Sequence, residues 1–376
     1  MITAVVLLVL FVMLLVSLLT RRAGRVERVL IIGATPLARQ VVAALNGRSG
    51  KRHQIIGVVD DPAAATRPMA APIAGPLERL GAIIDERRPD RIVVALADRR
   101  GRLPMHELLE ARVRGVVVED GVECYERLTG KIAIEALTPS NLIDSRDFRK
   151  SRFDLAFAQA VSRVVSLVAL VGLLPLLALI ALIITLDSPG PVLFVHDRIG
   201  FRGRRVGLLK FRTMHEADGP TSEWTGDNVH RITRVGKWLR RYRLDELPQL
   251  FNVLRGEMNL VGPRPHPVSN FGLFSKEIPY YSLRAVVRPG ITGWAQVRQG
   301  YANSLSEETE KMRYDLYYIK HTSAWLDLRI LCRTIRIVLS GHEAPETVGP
   351  EPPLPSAWRH PSLRHAPVRS TRVIRG

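Results

Sequence analysis

The sequence predicts an α/β membrane protein with an N-terminal transmembrane helix, a parallel-sheet domain, and a mostly helical α/β domain. The last of these is monotopic, seated on the membrane through a proline-broken re-entrant helix. Three observations predict it. Two apolar blocks, residues 2–19 and 164–186, stand apart from a chain whose 46 % hydrophobic content is otherwise ordinary. Between residues 28 and 145, short apolar runs alternate with helical patterns, as in a parallel sheet. From residue 188 to about 342 the chain is polar, basic and rich in Gly/Pro turns. The length, 376 residues, leaves room for about two domains, each with its own core.

The first apolar block is just long enough to span a bilayer core, which takes ~17–25 residues. It begins without Lys or Arg, and Arg21, Arg22, Arg25 and Arg28 follow it. A cleaved signal would carry its charge in front. Residues 1–21 are therefore read as an anchor whose C-terminal end is cytoplasmic by the positive-inside rule. In residues 28–145, strands are expected at 29–32, 55–59, 91–96 and 115–118. The Gly33-Ala34-Thr35-Pro36-Leu37-Ala38 turn stands where a Rossmann fingerprint would, but Thr35 and Ala38 replace its second and third glycines. A side chain at Thr35 obstructs close approach of a pyrophosphate, so a structural or regulatory Rossmann-like domain is expected.

The catalytic candidate is residues 146–343. Its apolar block, 164–186, holds Pro175 in the middle with Gly172 before it, and an interior proline removes a helix hydrogen bond. Arg146, Arg149, Lys150, Arg152 and Arg163 precede the block; Arg198, Arg202, Arg204 and Arg205 follow. Both flanks therefore favour the cytoplasm, and a helix that enters, breaks at Pro175 and returns satisfies both. The stretch 325–339 mixes Leu, Ile and Val with Arg, which suits a helix at the membrane surface or a globular one. Residues 344–376, rich in Pro, Arg and His, read as a disordered tail.

The net charge is +18, from 54 Lys plus Arg against 36 Asp plus Glu. Such a balance favours anionic partners. Aromatic content is 6 %, and no zinc-finger or RNA-recognition signature is present. Lipid headgroups and phosphates are the expected partners, and nucleic acid is not. Cys124 and Cys332 are too few for a disulfide framework and fit a reducing compartment. The histidines show no metal-ligand spacing. Trp224, Trp238 and Trp294 read as packing or interface anchors. His266, beside a Pro-Arg-Pro turn, could meet substrate.

The most informative segment is Arg240-Arg241-Tyr242-Arg243-Leu244-Asp245-Glu246-Leu247-Pro248-Gln249-Leu250. Helical spacing of Leu247, Leu250, Phe251 and Leu254, with Pro248 tolerated only in a first turn, puts Asp245 at or near a helix N-cap. Taken alone, a capping Asp with a first-turn Glu explains it. Around it lie Lys210-Phe211-Arg212-Thr213-Met214, Gly262-Pro263-Arg264-Pro265 and the run from Arg288 to Gln296. Cations in short Gly/Pro-fixed segments suit a grip on pyrophosphate.

With these motifs in this order, residues 153–341 resemble the bacterial sugar transferases, the polyprenyl-phosphate phosphoglycosyltransferases, and the preceding domain resembles that of their exopolysaccharide-type members. Such relatives usually have several N-terminal membrane helices, where one is read here, and often Ser where Leu174 precedes the proline. The resemblance implies transfer of a sugar 1-phosphate, with glucose ahead of galactose, from a UDP-sugar to undecaprenyl phosphate, releasing UMP. It places the reaction at the cytoplasmic face of the bacterial inner membrane, as the first membrane step of exopolysaccharide synthesis. It makes Asp245 the nucleophile and gives Asp245 and Glu246 a Mg²⁺ ion. It casts Lys210, Arg212, Arg240 and Arg264 as phosphate contacts, with Pro265 and Gln296 at the nucleotide or substrate. A homo-oligomer stays open. The competing reading is a membrane-anchored nucleotide-sensing or scaffold protein that has lost activity; the intact Asp245-Glu246 pair speaks against it.

Overall fold

The computed structural model describes residues 26–47, 53–60, 69–96, 103–137, 142, 148–215, 231–300 and 304–340. The expected anchor at 1–21 and tail at 344–376 lie outside the described residues. The chain divides into two compact units, Met1–Ala136 and Leu137–Gly376.

The first unit is a five-stranded parallel sheet. Its strands are β1 Glu27–Ile32, β2 His53–Val59, β3 Ile73–Gly75, β4 Arg91–Val94 and β5 Val117–Asp120, in the order β3-β2-β1-β4-β5. Helices α1 Pro36–Asn46, α2 Leu80–Arg87, α3 Met105–Val113 and α4 Gly121–Thr129 complete the Rossmann-like winding. Successive side chains of β1 enter opposite layers, as the period of two requires. Leu30 and Ile32 pack with Leu80, Ile83 and Leu108. Val29 and Ile31 pack with Val41, Leu45 and Tyr125.

The turn after β1 is closed from within. Gly33 has φ +103°, and a Cβ there would lie 2.8 Å from the Ala95 carbonyl. The Ala34 N–H donates to the buried Asp60 carboxylate (2.6 Å). Thr35 caps α1 by accepting from the Ala38 N–H (3.2 Å) and donates to the Ala95 carbonyl (2.6 Å). A dinucleotide-binding domain offers such turn amides to a phosphate; here Asp60 already holds one of them.

The second unit begins with α5, Arg152–Asp187, 36 residues long enough and apolar enough to cross a membrane. Ser151 caps it by accepting from the Phe153 N–H. Pro175 lies inside the helix, which continues on both sides. The expected break at Pro175 is not seen: the helix runs through it and loses only the backbone donor that proline lacks. One stripe of α5 is buried: Ser162, Ser166, Leu170, Leu177, Ile180 and Ile184. Leu170, Leu177, Ile180 and Ile184 meet Phe211, Leu239 and Leu250 of the same unit. The opposite stripe, including Val164, Val168, Val171, Leu174, Leu182 and Leu186, is exposed. Hydrogen bonds tie its first half and its last residue to the rest of the unit: the Leu260 N–H donates to Ser162 Oγ (3.3 Å), and the Val235 N–H to Asp187 Oδ2 (3.4 Å).

An antiparallel hairpin follows, β6 Leu193–Ile199 and β7 Arg205–Phe211. Then come α6 Arg234–Arg241, α7 Gln249–Arg255, β8 Asn259–Val261, α8 Val268–Glu277, β9 Gly290–Thr292, α9 Trp294–Arg298, α10 Leu305–His321 and α11 Ala324–Ser340. Strands β8 and β9 pair in parallel. The core beneath them joins Val261, Trp294, Tyr314, Tyr318 and Ile330, so Trp294 is a packing residue. Trp224 lies outside the described residues.

Tyr318 of α10 donates its hydroxyl to Asp327 of α11 (2.9 Å) and lies 3.3 Å from the Val261 carbonyl. Burial pushes Asp327 up to about 6, against the opposing hydrogen bond from Tyr318. An unfolded Asp titrates near ~3.9. The folded state therefore binds the extra proton between those values, and that stability is lost as pH rises through about 6. Thermal melting across pH 4–7 should show Asp327→Asn gaining on the wild type as pH rises. Asp315, also raised to about 6 by burial, keeps part of the slope. A constant difference between the two proteins would refute this placement of the carboxyl.

Candidate active site

The site is built on three neighbouring pieces of the second unit. Strand β7 carries Lys210. Helix α6 is capped by Thr233, whose hydroxyl accepts from the Gly236 N–H (2.9 Å). Its last turn carries Arg240. Only glycine fits at 236, because a Cβ would collide with the Thr213 carbonyl. That close approach lets the Arg240 Nε donate to Thr213 Oγ1 (2.9 Å). After Arg243, in the left-handed region (φ 54°), a 3₁₀ turn spans Leu244–Glu246 and carries both acids.

Asp245 is thus placed differently from the sequence expectation. Helix α7 starts at Gln249 with Pro248 as its cap residue, so Asp245 is not the N-cap. Pro248 has no N–H to donate, and the first turn forms through i→i+3 bonds instead: the Leu250 N–H donates to Leu247 O and the Phe251 N–H to Pro248 O. The dipole of a seven-residue helix is not what steadies the acid. Three cations are.

Asp245 and Glu246 are 8 % and 6 % exposed, yet their surroundings differ. Glu246 Oε1 meets Lys210 Nζ at 2.9 Å and Arg264 Nη2 at 2.5 Å, while Oε2 lies 3.4 Å from Arg264 Nη1. Burial alone would raise its carboxyl, but Arg264 and Lys210 outweigh it and hold Glu246 well below the usual carboxylate range. Asp245 feels Lys210, Arg240 and Arg264 through space but has no ion pair or side-chain hydrogen bond among the described residues. Burial, helped by the Glu246 charge, leaves its carboxyl raised. One acid is a neutralised anchor, and its neighbour is an open carboxylate in the same positive field.

Of the expected phosphate contacts, the structure gathers Lys210, Arg240 and Arg264 around the acids. Arg212 points elsewhere. Its Nη2 donates to the Ser188 carbonyl (2.6 Å) and hydroxyl (3.0 Å), at the C-terminal end of α5, where a cation meets free carbonyls. Its Nε and Nη1 are buried without hydrogen-bond partners among the described residues. Pro265 lines a small cleft together with Ile199, Pro263, Arg264, His266 and Phe271. Gln296 is buried behind the turn, its Nε2 donating to Ile291 O (3.0 Å).

Sequence reasoning passed over Arg198, which adds positive field at Lys210, and Arg243, which does so at Glu246. Arg243 was in view within the acidic motif but given no role; Arg198 reaches Lys210 only through the pairing of β6 with β7. For a metal, the donor set among the described residues is this acid pair; no cluster of three or more His, Cys, Asp or Glu occurs among them. Were a Mg²⁺ ion bound here, these two carboxylates would be the hard oxygen donors available to it among the described residues.

The two acids should separate in a stability assay. Glu246→Gln leaves Lys210 and Arg264 facing a neutral amide, and breaking a buried pair costs about 3–5 kcal/mol. Asp245→Asn removes a buried charge that has no direct partner, so melting of the detergent-solubilised protein should stay at or above wild type. Equal losses from both substitutions would contradict the difference described here.

Comparisons with known proteins place the segment that carries this site in a family. The model of the bacterial sugar transferase family matches residues 153–341. The UDP-N-acetylgalactosamine-undecaprenyl-phosphate N-acetylgalactosaminephosphotransferase of Aeromonas hydrophila is 47 % identical over 43 % of this chain and 38 % of its own length. The undecaprenyl-phosphate glucose phosphotransferase of Komagataeibacter xylinus is 34 % identical over 85 % of this chain and 60 % of its own. The UDP-glucose:undecaprenyl-phosphate glucose-1-phosphate transferase of Xanthomonas campestris is 46 % identical over 42 % and 33 %. The chain therefore spans less than two thirds of each of these relatives. The matched segment contains the hairpin, both acids and the three gathered cations, and the chain belongs to the bacterial sugar transferase family.

Proposed function

We propose that this chain transfers a sugar 1-phosphate, glucose 1-phosphate in the first instance, from a UDP-sugar to undecaprenyl phosphate at the cytoplasmic face of the bacterial inner membrane. The products are UMP and the undecaprenyl-diphosphate-linked sugar, the first membrane step of exopolysaccharide assembly. The observation that carries the reading is the open, buried Asp245 carboxylate beside a Glu246 already neutralised by Lys210 and Arg264. Glucose is preferred because the relative aligned over 85 % of the chain is named for that sugar.

In this reading an Asp245 oxygen attacks the sugar-bearing phosphorus. The bond from that phosphorus to the bridging oxygen breaks, and UMP leaves with the electron pair. An oxygen of undecaprenyl phosphate then attacks the same phosphorus and returns Asp245 as a carboxylate. One phosphoanhydride replaces another, so no ATP is needed. Lys210, Arg240 and Arg264 stabilise the charge spread over the transferring group. Glu246 holds two of those cations in place, leaving Asp245 free to react. Mg²⁺ held by the acid pair would supply charge neutralisation on the diphosphate.

The membrane arrangement follows from α5. At about 1.5 Å per residue its 36 residues exceed a bilayer core, yet its apolar block is flanked on both sides by arginines that favour the cytoplasm. That supports a re-entrant helix with the exposed stripe in lipid. The exposed Trp325, Leu328, Ile335 and Leu339 of α11, with Arg329 stacked over Trp325 (6.0 Å), suit the adjoining headgroup layer.

Two experiments test these readings. Radiolabelled UDP-glucose given without acceptor should leave label on the purified protein and release UMP; undecaprenyl phosphate should then chase the label into lipid. Asp245→Asn should abolish both, and turnover surviving that change would end the covalent reading. In membranes, single cysteines at the exposed positions Ser151 and Pro189, with Cys124 and Cys332 replaced, should both react with an impermeant thiol reagent from the cytoplasmic side. Labelling from opposite sides would establish a simple span.

A further inference from the structure

The turn that delivers Arg264 to Glu246 cannot be fixed in the ordinary way. Arg264 lies between Pro263 and Pro265, neither of which has an N–H to donate. The carbonyls of the turn do the holding. Pro263 O accepts from the Gly290 N–H (3.0 Å), Arg264 O from Arg284 Nη2 (3.3 Å), and Pro265 O from Arg198 Nη1 (3.5 Å). Of these donors only Gly290 is backbone.

Arg284 is itself immobilised. It is 6 % exposed. Its Nη1 donates to Glu308 Oε1 and to the Tyr281 hydroxyl, both at 2.6 Å, and its Nη2 lies 2.6 Å from Asp315 Oδ2. Glu308 Oε1 also takes the Tyr281 hydroxyl (2.9 Å) and lies 3.2 Å from His266 Nε2. Glu308 and Asp315 sit seven residues apart on α10, two turns along one face, so a rigid helix presents both acids to one guanidinium.

We infer that Arg284, clamped by Glu308 and Asp315, is a positioning residue for phosphosugar transfer: it holds the Arg264 carbonyl and so sets the Arg264 guanidinium against Glu246 beside Asp245. The inference rests on the transfer reading above. A buried arginine could simply glue α10 to the turn; what distinguishes positioning is dependence on the Arg264 side chain. A lysine at 284 keeps the charge but cannot reach Glu308, Asp315 and the Arg264 carbonyl together.

The test compares wild type, Arg284→Lys, Arg264→Ala and their double variant, as full-length protein in detergent. UMP release from UDP-glucose and undecaprenyl phosphate is followed together with amide hydrogen exchange. Arg284→Lys should lower kcat about 10–100-fold. In the Arg264→Ala background the same change should cost less than about twofold, the non-additivity expected of residues acting through one group. Exchange should quicken at residues 261–266 in Arg284→Lys, while α7 and the middle of α10 stay protected. Glu308→Gln, a milder change, should reproduce the exchange effect should Arg284→Lys fail to fold. Equal fold losses in both backgrounds, or unchanged exchange at the turn, would overturn the inference. The exchange result stands even when the wild type releases no UMP, an outcome that would count against the transfer reading alone.

Discussion

The site depends on one buried interaction, the Glu246 carboxylate held between Lys210 and Arg264. Bringing an anion and two cations out of water is costly, and it is sustained only when geometry and hydrogen bonds are good. Each partner comes from a different piece of chain. Lys210 comes from the hairpin, Glu246 from the 3₁₀ turn and Arg264 from the turn after β8. The ion cluster therefore specifies how these pieces meet. It also leaves net positive charge beside Asp245, as the proposed grip on a diphosphate needs, because two cations face one paired acid and Arg240 lies close to Asp245.

The same economy of parts appears at α5. Arg212, two residues beyond Lys210, ties the C-terminal end of that helix to the strand that carries the lysine. The membrane-seeking helix and the phosphate-facing cation are thus linked through a single rigid strand. On the proposed seating, with the exposed stripe of the helix in lipid, the two acids would be held close to the membrane surface. A reaction joining a soluble nucleotide sugar to a lipid phosphate requires such a placement.

The sequence was most readable where local pattern and chemistry coincide. Alternation of apolar runs and helical stretches marked four of the five strands of the first unit; β3, with three residues, is too short to show a period. The acids and the cations Lys210, Arg240 and Arg264 were legible because each sits in a short motif with its own turn residues. Arg212 was not, since a motif shows that an arginine is present but not which way its strand turns it. The start of α7 was misplaced because Pro248 is compatible with a first helical turn and also with the 3₁₀ turn actually formed. The Arg284–Glu308–Asp315 cluster left no sequence signal, because its members are 24 and 31 residues apart and meet only when α10 packs against the turn.

The division of labour between the two adjacent acids has a simple geometric origin. In a 3₁₀ turn there are about three residues per turn, so neighbouring side chains leave the axis roughly 120° apart. Had Asp245 and Glu246 stood on an extended strand, they would have pointed to opposite faces, one of them away from the cations. Had they been separated by a full helical turn, both would have faced the same partners and competed for them. The 3₁₀ geometry lets Glu246 reach Lys210 and Arg264 while Asp245, in the same field, reaches neither directly. The left-handed Arg243 that opens the turn is the backbone feature making this possible, and it arises where α6 must end and reverse within three residues. Open acid and anchor are thus separated by direction, without any difference in chemical type, which is the division of roles the proposed mechanism uses.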